Sequence, residues 1–244
     1  MSILAPASVN LARNSTDFLL PFLRLPALRF CLGMTATDGA TMYTEDIGAR
    51  EWSINGGVTF ASDAVGLPVA TFNGSTGYLS AADAGWNSPT GTFTLMAVVS
   101  ATAAVGMRIL SKEPGGTNRA YELLYNVSTA TTLTFSVSLD GTIGNTVAVN
   151  LAAGAPANGT NFIVARYRAG TQLALWGNGA VATNSTSVPA ACFDATGAVN
   201  IGRRTAGTDY LNGAIYMLAM CGADIASDHI TLLQNHVGKF GINT

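Results

Sequence analysis

The sequence predicts an all-β domain: two packed antiparallel sheets, one short C-terminal helix and an extended N-terminal arm. Three observations predict it. From Gly33 onward short apolar runs recur between Gly, Asn, Asp and Thr turns, the pattern of an antiparallel sandwich. Residues 66–80 (GLPVATFNGSTGYLS) and 210–220 (YLNGAIYMLAM) read as the opening and closing strands of one large sandwich. Helical periodicity is confined to residues 227–237, with Ser227 placed as N-cap and Ile230, Leu233 and Val237 on one face.

Taken in order, residues 1–30 are expected to form the arm and 31–244 a single sandwich domain. Pro21 and Pro26 interrupt the apolar stretch 17–34, so a long helix or central strand is disfavoured and an extended arm or edge strand is expected. Arg24 and Arg29 in the same stretch exclude a membrane span. An extended arm cannot bury Leu19, Leu20, Phe22, Leu23, Leu25 and Leu28 against itself. These residues are therefore expected to dock, either on the domain's own strands or, as favoured here, on a neighbouring subunit.

Residues 131–140 (TTLTFSVSLD) alternate cleanly, with Leu133, Phe135, Val137 and Leu139 on one face and Thr134, Ser136 and Ser138 on a wet one. Residues 92–100 and 214–221 are apolar on both faces, so something must cover both sides. Residues 161–182 read as three strands joined by turns at Ala169-Gly170 and Asn178-Gly179. The predicted shared core contains Phe72, Phe93, Leu95, Leu133, Phe135, Val164, Leu175, Ile201 and Ile215.

Composition narrows the function. Charged residues make up 11% of the chain, against about 25% in ordinary domains. With 12 basic and 14 acidic residues there is no basic footprint for nucleic acid. A weakly charged surface favours association, and a homo-oligomer is expected. The 3 cysteines, Cys31, Cys192 and Cys221, have neither disulfide-framework numbers nor zinc spacing and are read as buried thiols. The opening residues lack the basic start and long apolar core of a secretory signal.

Several short motifs occur in a fixed order: Phe72 to Leu79 (F-N-G-x-x-x-Y-L), Phe93 to Leu95 (F-T-L), Ile109 to Lys112 (I-L-S-K), Ala165 to Gly179 (A-R-Y-x-x-G-x-x-L-x-L-W-x-N-G), Ile201 to Arg203 (I-G-R) and Leu211 to Ile215 (L-N-G-x-I), then the helix with Ile230 to Leu233. This order resembles the laminin G-like, concanavalin A-like superfamily over about residues 30–240. The resemblance implies a jelly-roll sandwich that binds glycans or proteins through rim loops, sometimes with calcium, and similar modules occur in virion surface proteins and tail fibres. Because one fold hosts many functions, the site must decide.

The glucanases of this superfamily carry a strand of alternating acids, since a retaining mechanism needs two carboxyls on one sheet face. No such strand is present. Glu113 and Glu122 are separated by the Pro114-Gly115-Gly116 turn, and His229 and His236 both lie in the terminal helix without an evident nucleophile. Catalysis is not expected. Candidate ligand contacts are Trp86, Tyr125, Asn178, Arg203, Arg204 and Tyr210, with the Arg203-Arg204 pair suited to an anion or a neighbour's carboxylate. Trp176 is assigned to the core. No cofactor is expected, although Asp140 with Asn145, or Asp209 with Asn212, leave calcium open.

The leading expectation is a non-catalytic structural or assembly protein on a phage virion surface, as capsid decoration or in the tail, partnered by itself and by other virion proteins. The alternative is a glycan-binding adhesion module at a cell surface or outside the cell, and the third reading is a degenerate glycoside hydrolase.

Overall fold

A computed structural model describes residues 15–35, 42–44, 50–101, 106–125, 132–152, 159–204 and 207–244. Sheet A contains β4 (Val58–Ser62), β5 (Pro68–Asn73), β7 (Phe93–Ala101), β12 (Thr160–Arg168), β13 (Gln172–Gly177), β14 (Ala180–Asn184) and β16 (Asn212–Cys221). Their order is β14-β13-β12-β7-β16-β5-β4, and β1 (Leu28–Leu32) also pairs with β16. Sheet B contains β2 (Met42–Thr44), β3 (Glu51–Asn55), β6 (Tyr78–Ala81), β8 (Arg108–Lys112), β9 (Tyr121–Tyr125), β10 (Leu133–Ser138), β11 (Thr146–Leu151) and β15 (Val199–Ile201). It runs β11-β10-β9-β8-β15-β6-β3-β2. Every strand pairing is antiparallel.

The two-sheet antiparallel architecture follows the sequence reading. β5 and β16 pair directly, Asn73 opposite Asn212, although β1 to β4 precede β5, so residues 66–80 do not open the sandwich. The meander turns fall as read. Gly170 (φ +67°), Asn178 (φ +48°) and Gly179 (φ +70°) take left-handed backbone there. Between the sheets Phe72, Phe93, Leu95, Leu133, Phe135, Leu175, Ile201 and Ile215 are buried in one cluster. Val164 is also buried, but on the opposite face of sheet A.

That opposite face carries the main correction. Residues 15–23 are not an extended arm; they form helix α1 (Ser15–Leu23), with Pro21 inside it. Phe18, Leu19 and Phe22 are buried against Met96 and Val98 of β7, Phe162 of β12, and Met217 and Ala219 of β16. Helix α2 (Ser227–Gly238) completes the layer through Ile230, Leu233 and Val237. The second apolar face is thus covered from within the same chain, not by a neighbour. Pro21 costs its helix about 3 kcal/mol, whereas burying three large side chains contributes about 5–9 kcal/mol, so tertiary packing overrides local propensity. Leu25 is buried, Leu23 and Leu28 are half-buried, and Leu20 is exposed. Residues 1–14 of the expected arm lie outside the described residues.

Two smaller corrections follow. Ser227 is the first helical residue and Ala226 is the cap, with no side-chain capping bond. The expected wet face of β10 is largely sealed, since Ser136 and Ser138 are buried while Leu139 stands exposed beyond the strand end.

Candidate functional site

Strand registers place a polar row on the outer face of sheet B. Ser53 lies opposite Ser80, Ser80 opposite Asn200, Asn200 opposite Ser111, Ser111 opposite Glu122, and Glu122 opposite Ser136. The adjacent row, Leu79, Ile201, Leu110, Leu123 and Phe135, points into the core, as alternation requires. Residues 202–204 and 207–211 fold back against this face, held by the Arg108 N–H donating to the Asp209 carbonyl at 3.1 Å and the Leu211 N–H to the Gly202 carbonyl at 2.7 Å. Gly202 makes this turn possible. It sits at φ +84°, where a Cβ would come within 2.5 Å of the Phe72 ring.

Interlocked ion pairs occupy the centre of the face. Glu113, only 2% exposed, is held by Arg119 and by Arg204 at 2.5 Å. Glu122 is held by Arg108 at 2.9 Å and accepts a hydrogen bond from Ser136 Oγ at 3.2 Å. A second nitrogen of Arg108 reaches Asp209 at 3.5 Å. Burial, and then the charge of Arg204, push the Arg119 guanidinium below its ordinary value. The cavity beside these groups, lined by Glu113, Arg119, Glu122 and Ser136, measures about 10 Å³. That is the room of one water molecule.

Of the six residues singled out from sequence, three meet here. Arg204 belongs to the ion-pair group, while Arg203 lies over the Tyr78 ring at 3.3 Å, and Tyr78 and Tyr210 approach with centroids 6.5 Å apart. The other three lie elsewhere. Tyr125 is not a loop contact: it is 2% exposed in the core, where burial raises its phenol well above the usual range. Trp86 is no open platform. Phe30 and Trp52 pack on it at 5.7 and 5.5 Å, and Arg50 stacks over its ring at 5.0 Å. Asn178 is exposed in the turn at the far edge of sheet A. Trp176, assigned to the core, is half-buried on the helix-covered face beneath Arg166 at 4.7 Å.

Sequence reasoning did not find Arg108, Arg119 or the burial of Glu113, nor the role of Lys112. Lys112 is fully buried, and its Nζ donates to Asp83 at 2.5 Å, Asn87 at 2.7 Å and Ser88 at 2.6 Å, pinning residues 83–88 to β8. The available signal was rarity: Lys112 is one of two lysines in the chain. In the two turns considered for calcium, Asp140 is engaged by the Thr142 N–H and hydroxyl and by the Asn145 amide N–H. Asp209 pairs with Arg108. Among the described residues no three acidic, histidine or cysteine side chains converge on one point. No described helix is long and apolar enough to cross a membrane. His236 Nε2 lies 3.2 Å from the Phe18 carbonyl, joining α2 to α1.

Fold and face together define a jelly-roll sandwich with one side sheathed by helices and the other polar and ion-paired. The chain belongs to the concanavalin A-like lectin/glucanase superfamily, whose family profile matches residues 73–230. Solved structures agree on the fold. The binding domain of botulinum neurotoxin DC in complex with SialylT is 12% identical with a TM-score of 0.63, matching 86% of this chain and 51% of that one. The same toxin's binding domain in complex with rat synaptotagmin II is 11% identical (TM-score 0.61, 86% and 52%). The binding domain of Paraclostridial mosquitocidal protein 1 is 11% identical (TM-score 0.64, 86% and 52%). This chain spans about half the length of each. No curated relative matches in sequence.

Proposed function

We propose that the chain is a non-catalytic recognition module that holds a glycan on the outer face of sheet B beside Arg203, Arg204 and Tyr210. One observation carries this reading: the two carboxylates that a sugar-cleaving site on this face would need, Glu113 and Glu122, are clasped by Arg119, Arg204 and Arg108. The space beside them has room for no more than one water, whereas cleavage needs a sugar ring seated between two working carboxyls. The resemblance to toxin binding domains supports the reading at the level of fold. Screening the whole chain on a glycan array tests it: bound glycan with no turnover is expected, and an array without any binder would remove it.

A second reading is a structural subunit of a virion surface, and the exposed half of sheet A's outer face favours it. There Thr59, Thr71, Ala214, Ser100 and Thr160 align across five strands, above a groove of about 480 Å³ also lined by Asn212 and Gly213. An uncharged surface of this kind suits packing against another protein. Light scattering separates the readings, because a stable oligomer is expected only for the second.

A further inference from the structure

The arginines on the outer face of sheet B are not equivalent. Arg108 faces Glu122 and Asp209, while Arg119 and Arg204 share Glu113. Arg203 makes no ion pair among the described residues. Four guanidiniums therefore stand against three carboxylates, and the surplus positive charge rests on Arg203.

Its geometry suits a ligand. The guanidinium lies over the Tyr78 ring, 3.3 Å from the centroid, which occupies its flat face and leaves the N–H edge to fork a carboxylate. Holding it there in advance reduces the ordering cost of binding. The Tyr210 ring, 6.5 Å from Tyr78 and inclined by 60°, stands beside it. Across the sheet lie Asn55, opposite Tyr78, and Ser53, opposite Ser80, with the Asn55 amide donating to Ser80 Oγ at 3.2 Å. All of these side chains are half-buried. Hydroxyls and an amide next to a charged fork complement a polyhydroxylated ring bearing an acid better than they complement an acidic peptide, whose side chains bring no row of hydroxyls to meet Asn55, Ser53 and Ser80.

We infer that Arg203, Tyr78 and Tyr210 seat the carboxylate of an acidic sugar, a uronate or a sialate, with the ring hydroxyls directed to Asn55, Ser53 and Ser80. The inference rests on the recognition reading and names its ligand class. Calorimetric titration of the full chain tests it with oligogalacturonate, a hyaluronan oligosaccharide and sialyllactose, each compared with its own methyl ester, which keeps the ring and masks the charge. At least one acid should bind, with its ester weaker by roughly tenfold to a hundredfold, the worth of a charge-assisted hydrogen-bond pair. Arg203→Gln should weaken the acid by the same factor and leave the ester unchanged. Arg24→Ala, at an exposed site on the other side of the fold, should change neither. Unchanged unfolding of Arg203→Gln by circular dichroism separates binding from stability. Equal affinity for acid and ester, no loss in Arg203→Gln, failure of every acid to bind, or a glutamate-rich peptide that displaces every sugar acid would each overturn the inference. If neutral glycans bind wild type and Arg203→Gln alike, recognition stands and the acid seat falls; if no glycan of any kind binds, both fall.

Discussion

Phe22→Ala probes how the second face of sheet A is covered. Phe22 is fully buried, with its ring 5.8 Å from that of Phe162 and 6.2 Å from that of Phe18. Removing a ring from such a site forfeits its transfer free energy and leaves a cavity, together about 3–5 kcal/mol. With an m-value of about 3 kcal/mol per molar urea, the midpoint should fall by about 1–1.7 M at unchanged slope. Trp176, half-buried at this cluster, serves as the fluorescent reporter. Because α1 docks on its own chain, the shift should not depend on protein concentration, whereas docking between subunits would make it so. A loss under about 1 kcal/mol, or a midpoint that rises with concentration, would refute the intramolecular account.

Lys112→Met should destabilise by about 2–3 kcal/mol in the same assay, below the usual cost of breaking a buried pair because Asp83 is 35% exposed. Asp83 also sets a pH dependence: the hydrogen bond from Lys112 outweighs burial and holds its carboxyl below the ordinary value. The stability this gives is complete above the unfolded-state value near pH 4 and is lost as pH falls through the lower folded value, so Asp83→Asn should flatten the acid limb of the unfolding curve. Burial pushes the Cys192 thiol up to about 12 and the Cys221 thiol up to about 11. At pH 8 a disulfide reagent should therefore leave both unmodified until urea unfolds the chain.

Much of the scaffold was legible because it depends on neighbouring residues. The β12 to β14 meander follows from Asn178-Gly179 and alternation alone. The two-faced apolar patterns of β7 and β16 announced a second covering layer. What covers them was hidden, because Pro21 argues locally against the helix that packing then stabilises. The candidate site was legible only in part. Arg203, Arg204 and Tyr210 stood out beside a glycine turn, but Glu113 meets Arg204 across 91 residues of sequence, and no local pattern encodes that contact. Trp86 and Tyr125 misled for the same reason: an aromatic beside a turn can face solvent or core, and only the register of distant strands decides which.

The proposed role is recognition of a glycan without turnover. Its most direct test incubates the full chain with the glycan it binds most tightly and weighs both partners by mass spectrometry afterwards. An intact glycan and an unmodified protein are expected at every time point; shortened sugar products, or a glycosyl adduct on Glu113 or Glu122, would overturn the proposed role.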